Sequence, residues 1–174
     1  MRQEQVQEQG HAIECCIYAE DPANDFMPSI GTILRLTEPA GPGIRVDSGA
    51  RAGKEVSAFY NPLIAKVSVH AEDRAAAVNR MDRALREFVA SGDLTTNSAF
   101  LRDVIGHPVF QAGETTTGFV TEHFSDWQPF GGSLPDDALI AAALAEFQAQ
   151  RTTNPAPDDE DSRSPLQQLM DMRV

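Results

Sequence analysis

The rhythm of apolar and polar residues changes along the chain. Up to about residue 70 it comes in short runs separated by turn formers. His11 to Ala19 is a nine-residue run rich in Ile and Cys, closed by Glu-Asp-Pro. Gly31 to Leu36 carries β-branched residues and ends at the turn cluster Glu38 to Gly43. Ile44 to Asp47 alternates and gives way to Ser48 to Gly53, which holds two glycines; Pro62 to His70 is the longest apolar strand candidate. Short strands joined by tight turns predict an antiparallel sheet.

From Glu72 the period becomes that of a helix. Between Glu72 and Val89 the apolar positions are Ala75, Val78, Met81, Ala84, Leu85, Phe88 and Val89, with Glu72 and Asp73 at the N-terminal end and Gly92 just past the other. Asn97 to Ile105 predicts a shorter helix with Phe100, Leu101, Val104 and Ile105 inward, stopped by Gly106 and Pro108. A third is predicted from about Pro135 to Gln150, capped by Ser133 and Asp136, with Leu139, Ile140, Ala143, Leu144 and Phe147 on one face. Strands first and helices later give an α+β domain, an antiparallel β-sheet with packed helices.

Composition narrows the setting. Of 174 residues, 41% are hydrophobic, and nearly all of the periodic pattern lies in residues 11–150. Residues 152–164 hold two prolines, five charges and no large apolar side chain, which reads as an acidic linker because such a stretch buries too little to offset its ordering entropy. Pro165 to Val174 is a short amphipathic stub. With 14 Lys+Arg against 26 Asp+Glu the formal net charge is −12, which argues against nucleic acid and anionic membrane surfaces as partners. No apolar run reaches the roughly 18 residues of a spanning helix, and Met1 to Gly10 has no apolar core for a secretory signal. The two cysteines, Cys15 and Cys16, are adjacent and exclude a disulfide framework. The expectation is a cytoplasmic protein.

Most stock chemistries find no footing. His11, His70, His107 and His123 are scattered, without metal-ligand spacing, so no metal site is assigned. Gly41-Pro-Gly43 lacks the third glycine of a dinucleotide loop and reads as a turn. A Cys–His dyad fails on geometry. If residues 11–19 form a strand, His11 and Cys15 share a face but lie roughly 13 Å apart at about 3.4 Å per residue, and a dyad needs about 3 Å. The strand's two faces differ. His11, Ile13, Cys15, Ile17 and Ala19 make a core face; Ala12, Glu14, Cys16, Tyr18 and Glu20, with Asp21 just beyond, make a polar one. A polar row on such a strand is either a ligand-facing surface or the solvent side of an edge strand.

These residues carry a family resemblance. Gly10-His-Ala-Ile-Glu-Cys-Cys-Ile-Tyr-Ala-Glu-Asp-Pro22 resembles the G-H-A-[IV]-E-C-R-[IL]-N-A-E-D-P signature of biotin carboxylase, the ATP-dependent half of acetyl-CoA, propionyl-CoA and pyruvate carboxylases. The likeness continues through Phe26-Met-Pro-Ser-Ile-Gly31, Gly41-Pro-Gly-Ile-Arg-Val-Asp-Ser48 and Tyr60-Asn-Pro-Leu-Ile-Ala-Lys66. It runs on into the Glu72 to Val89 helix, Thr95-Thr-Asn97 and Phe110 to Gly118, in order and over roughly residues 10–124. It implies the fold of the biotin carboxylase C-terminal domain and divides the chain into an extension (1–9), that domain (10–124), a helical extension (125–151) and the linker with its stub (152–174).

The resemblance also implies where this chain departs. The family's catalytic arginine, which helps bind bicarbonate and stabilises the biotin enolate, is Cys16 here, and the asparagine two residues later is Tyr18. Cysteine offers one weak donor and no permanent charge, against a planar fork of five donors; losing such a group typically costs on the order of 10²–10³ in rate. Glu14, Glu20 and Asp21 are retained as substrate-facing candidates. Arg35 and Arg51 replace the lost guanidinium only after a rearrangement. Arg45 matches a family arginine at the homodimer interface; its alternative is an exposed strand arginine paired with Asp47 or Glu55. Lys66 fits either the family string or snorkelling at a sheet edge. The family's nucleotide-binding lysines, magnesium-ligating glutamates and catalytic base lie upstream of the matched stretch. Biotin, ATP and Mg are therefore expected to act in the complete enzyme and none to be bound by this chain. The expected partners are an ATP-grasp portion or subunit, a biotin carrier protein and a second copy in a homodimer. The chain alone is expected to be inactive. Its alternatives are a non-catalytic scaffold of a carboxylase complex and a thiol-dependent role for Cys15 and Cys16.

Overall fold

A computed structural model describes residues 2–57, 59, 61–129, 140–141 and 143–145. The chain divides into two units, residues 1–130 and 131–174. In the second, the described residues are helical. The rest of the predicted 135–150 helix, its Ser133/Asp136 cap, the acidic linker and the stub lie outside the described residues.

In the first unit the strands are β1 (His11–Tyr18), β2 (Glu20–Asp21), β3 (Met27–Pro28), β4 (Gly31–Thr37), β5 (Ile44–Ser48), β6 (Glu55–Val56), β7 (Leu63–Ala71) and β8 (Val89–Gly92). Helices α1 (Arg74–Glu87), α2 (Ser98–Gly106), α3 (Pro108–Ala112) and α4 (Phe119–Phe124) complete it. The main sheet is antiparallel in the order β1-β7-β5, with its longest and most apolar strand in the centre, where both edges are paired. A second antiparallel sheet runs β6-β4-β8, and β2 and β3 form a two-stranded ribbon. The α+β class holds, and the domain is an antiparallel sheet with packed helices.

Period-2 alternation decides which face of the main sheet is covered. Ile13, Cys15, Ile17 and Ala19 of the first strand segment and Ala65, Val67, Val69 and Ala71 of β7 are buried. Onto them packs the apolar stripe of α1: Ala77, Val78, Met81, Ala84 and Leu85. Asp73 caps that helix, its side chain accepting from the Ala76 N–H at 2.8 Å. Two details differ from the periodic expectation. Ala75 is exposed and Ala77 takes the inward place. The helix also ends at Glu87: Phe88 is extended, and Val89 begins β8, which pairs with Thr37 of β4. A β-branched residue beyond an open strand edge gains a ladder there that continued helix would forgo. A strand therefore follows α1, so strands and helices are not cleanly segregated along the chain. Two- and four-residue strands such as β2, β3, β6 and β8 are too short to show a period.

Candidate functional site

The polar positions of β1 go to the face of the main sheet that no helix of the described residues covers. Register assembles it. Glu14 of β1 lies opposite Ser68 of β7, which lies opposite Arg45 of β5; one step along, Cys16 faces Lys66, which faces Asp47. Side chains directly opposite in adjacent strands have Cβ atoms about 4.5–5.5 Å apart. Two cross-strand rows thus bring together residues that lie far apart in sequence, Glu14 and Ser68 by 54 positions.

Their contacts form two charge pairs. The Lys66 ammonium donates to Glu14 Oε1 at 3.1 Å, and the Ser68 hydroxyl donates to Glu14 Oε2 at 2.8 Å. The Ser68 hydrogen bond, followed by Lys66, holds the Glu14 carboxyl below the usual carboxylate range. Reciprocally, hydrogen bonding and charge from Glu14 raise the Lys66 ammonium above its ordinary value. Arg45 makes the Asp47 pair rather than one with Glu55, with Nε 2.9 Å from Asp47 Oδ2, and the hydrogen bond to Asp47 raises its guanidinium. These groups are all well exposed. Beside Arg45 an open groove of about 290 Å³ is lined by Ala12, Ile44, Ser68 and His70 among others. A comparable cleft of about 280 Å³ lies among Ile33, Lys54, Val56 and Asn61, and none of the predicted site residues lines it.

The other predicted residues are placed differently. Cys16 is half-buried on the polar face, whereas Cys15 is 6% exposed in the core. Burial pushes the Cys15 thiol up to about 12, and the adjoining Cys16 and Glu14 add to the rise. Glu20 is half-buried in the ribbon, opposite Pro28, and burial raises its carboxyl. Asp21 caps a short turn, its Oδ1 accepting from the Ala23 N–H at 3.1 Å. Arg35 sits on β4 in the second sheet and Arg51 in the turn before β6, so neither joins the rows on β1, β7 and β5. His11 instead meets Arg74, whose Nη1 lies 3.0 Å from His11 Nε2. Among the described residues no group of three or more His, Cys, Asp or Glu is placed to hold a metal ion. Nor is any helix of the described residues long and apolar enough to cross a membrane.

The sequence reading missed Asn97. It is buried at 6% exposure, just before α2, and both ends of its side-chain amide bond β1. Its Oδ1 accepts from the Tyr18 N–H at 3.0 Å, and its Nδ2 donates to the Cys16 carbonyl at 3.2 Å. Its own N–H donates to the Tyr18 carbonyl at 3.1 Å. The signal that marks it is a polar residue entering an apolar helix face.

Comparison with known proteins settles the family. The sequence model of the biotin carboxylase C-terminal domain matches residues 14–122. The chain belongs to the biotin carboxylase C-terminal domain family. The biotin carboxylase of Halalkalibacterium halodurans is 50% identical over 121 residues, covering 70% of this chain and 26% of that protein. The mitochondrial methylcrotonoyl-CoA carboxylase subunit alpha of Dictyostelium discoideum is 38% identical over 175 residues, 100% of this chain and 25% of its own length. The biotin carboxylase domain of Hydrogenobacter thermophilus 2-oxoglutarate carboxylase, solved as a dimer with MgADP, ADP and bicarbonate, superposes with a TM-score of 0.68 at 41% identity. That match covers 71% of this chain and 27% of the other. The chain thus spans about a quarter of the length of these relatives.

Proposed function

We propose that this chain supplies the C-terminal portion of a biotin carboxylase, acting in ATP- and bicarbonate-dependent carboxylation of carrier-bound biotin, and that the 174-residue polypeptide is inactive by itself. Its partners are an ATP-grasp portion or subunit, a biotin carrier protein and a second copy meeting it near Arg45, in the cytoplasm. The polar face of β1 is the side turned toward substrate, with Glu14 ordered by Lys66 and Ser68. Glu20 and Asp21, on the ribbon that follows, are the further substrate-facing candidates. What supports the reading is the position of Cys16: it stands where the family signature has arginine, on the face that no helix of the described residues covers, opposite Lys66. A cysteine side chain has neither the paired donors to bind bicarbonate nor the permanent positive charge to offset developing negative charge.

The same observation favours a second reading, a non-catalytic scaffold that docks on an ATP-grasp partner. One experiment separates the two. Purified chain is mixed with the ATP-grasp portion of a biotin carboxylase, and free biotin carboxylation is followed for the parent and for Cys16→Arg. A split enzyme shows activity rising on the order of 10²–10³-fold with arginine. Complex formation without any rescue favours the scaffold, and bicarbonate-dependent ATP hydrolysis by the 174-residue polypeptide alone overturns both.

A further inference from the structure

Among the described residues no strand pairs with the outer edge of β1, and a substitute neighbour stands there. β1 pairs with β7 along one side, and along the other its backbone groups at Cys16 and Tyr18 point away from that ladder. A buried strand edge left without partners would cost the desolvation of each free group. Asn97 fills it. Its amide donates to the carbonyl of residue 16 and accepts from the N–H of residue 18, as the N–H and C=O of one residue in a parallel neighbouring strand would around Ile17. The bonding partners fix the amide's orientation, because the Tyr18 N–H only donates and the Cys16 carbonyl only accepts. The backbone of Asn97 is tied down as well: its N–H reaches the Tyr18 carbonyl, and its own carbonyl accepts from Leu101 N–H at 3.0 Å in the first turn of α2. Phe100 and Ile105 anchor that helix in the apolar interior. The residue that grips β1 is therefore itself gripped by the core.

We propose that Asn97 is a positioning residue for the side chains at 16 and 18, fixing the edge of β1 from the start of α2 so that residue 16 is presented at a set height on the polar face. The inference rests on that face being part of the carboxylation site, but its structural half is testable apart from activity. In Asn97→Ala both bonds go. In Asn97→Asp the acceptor for the Tyr18 N–H remains and the donor to the Cys16 carbonyl is lost. A general loss of stability would move every amide together; a positioning role separates them.

Hydrogen exchange and iodoacetamide labelling of the 174-residue chain provide the test, with the Ile13 and Val67 amides of the β1–β7 ladder as internal standards. Asn97→Ala is expected to speed exchange at the Tyr18 amide on the order of tenfold relative to those standards and to change the Cys16 labelling rate. Asn97→Asp is expected to leave Tyr18 protected while still changing Cys16 labelling. If Asn97→Ala fails to fold, the Asp variant alone decides. Unchanged Tyr18 exchange in the Ala variant, or unchanged Cys16 labelling in the Asp variant, overturns the proposal. The catalytic consequence is read in the Cys16→Arg form mixed with the ATP-grasp portion. There Asn97→Asp is expected to lower kcat at constant KM for ATP, and an unchanged kcat overturns the proposal. A Cys16→Arg mixture that is inactive before Asn97 is touched instead refutes the reading of the face, and exchange and labelling then decide the positioning role.

Discussion

Iodoacetamide labelling of the native chain at pH 8 should separate its two adjoining cysteines. Period 2 along β1 turns Cys15 into the core at 6% exposure and leaves Cys16 half-buried on the polar face. With the Cys15 thiol pushed up to about 12, about one molecule in 10⁴ carries the reactive thiolate at pH 8, against about a quarter for an ordinary thiol with a pKa near 8.5. The scarce thiolate is more nucleophilic, by a Brønsted factor of about 0.4–0.5 per pK unit, which recovers part of the loss. Ionisation alone thus slows Cys15 by roughly 50-fold, and exclusion of the reagent from the core slows it further. Mass mapping of the peptide containing both residues, over a time course, gives the two rates. The expected result is label on Cys16 with Cys15 silent until urea unfolds the domain. Equal labelling of both under native conditions would refute the placement of β1, and with it the assignment of Cys16 to the substrate side. A role for Cys15 in thiol chemistry is opposed by the same argument, since an inert thiol is what burial makes.

Two further outcomes follow from the packing and the charge pairs. Ile17→Ala, at a side chain with no exposure under α1, is expected to cost about 2–5 kcal/mol, read as a fall in urea midpoint at constant m; a cost under about 1 kcal/mol would contradict its place in the core. Lys66→Met is expected to move the Glu14 titration part of the way back up, the Ser68 hydrogen bond retaining the rest. Because the folded Glu14 value is depressed, its contribution to stability is present above the unfolded carboxyl pKa of about 4.3 and is lost as pH falls through the folded value. The parent and Lys66→Met stabilities should therefore converge in acid, and a carbon-detected titration in which Glu14 does not move would show that the pair is not formed in solution.

What the sequence made legible and what it hid divide along one physical line. Alternation in His11 to Ala19 named the core face of β1 before any coordinates, because burial on a pleated strand leaves a period. The same rule located the inward stripe of α1 apart from Phe88 and Val89, which lie beyond its end, and the exchange of Ala75 for Ala77, a pair of small residues whose burial changes little free energy and so leaves a faint mark. The rows Glu14–Ser68–Arg45 and Cys16–Lys66–Asp47 had no such mark. Each depends on register among three strands that are distant in sequence, and register is set by the turn and by the whole apolar face rather than by the residues it happens to align. Asn97 lay deeper still, because one side-chain amide that satisfies two backbone groups leaves neither a period nor a charge pattern. That gap bears on function. Chemistry at residue 16 depends on which side chain stands there, and that is written plainly as cysteine. On the proposed role of Asn97 it depends equally on where the backbone holds that side chain, which an amide 81 residues away fixes at an edge of β1 that no strand of the described residues pairs.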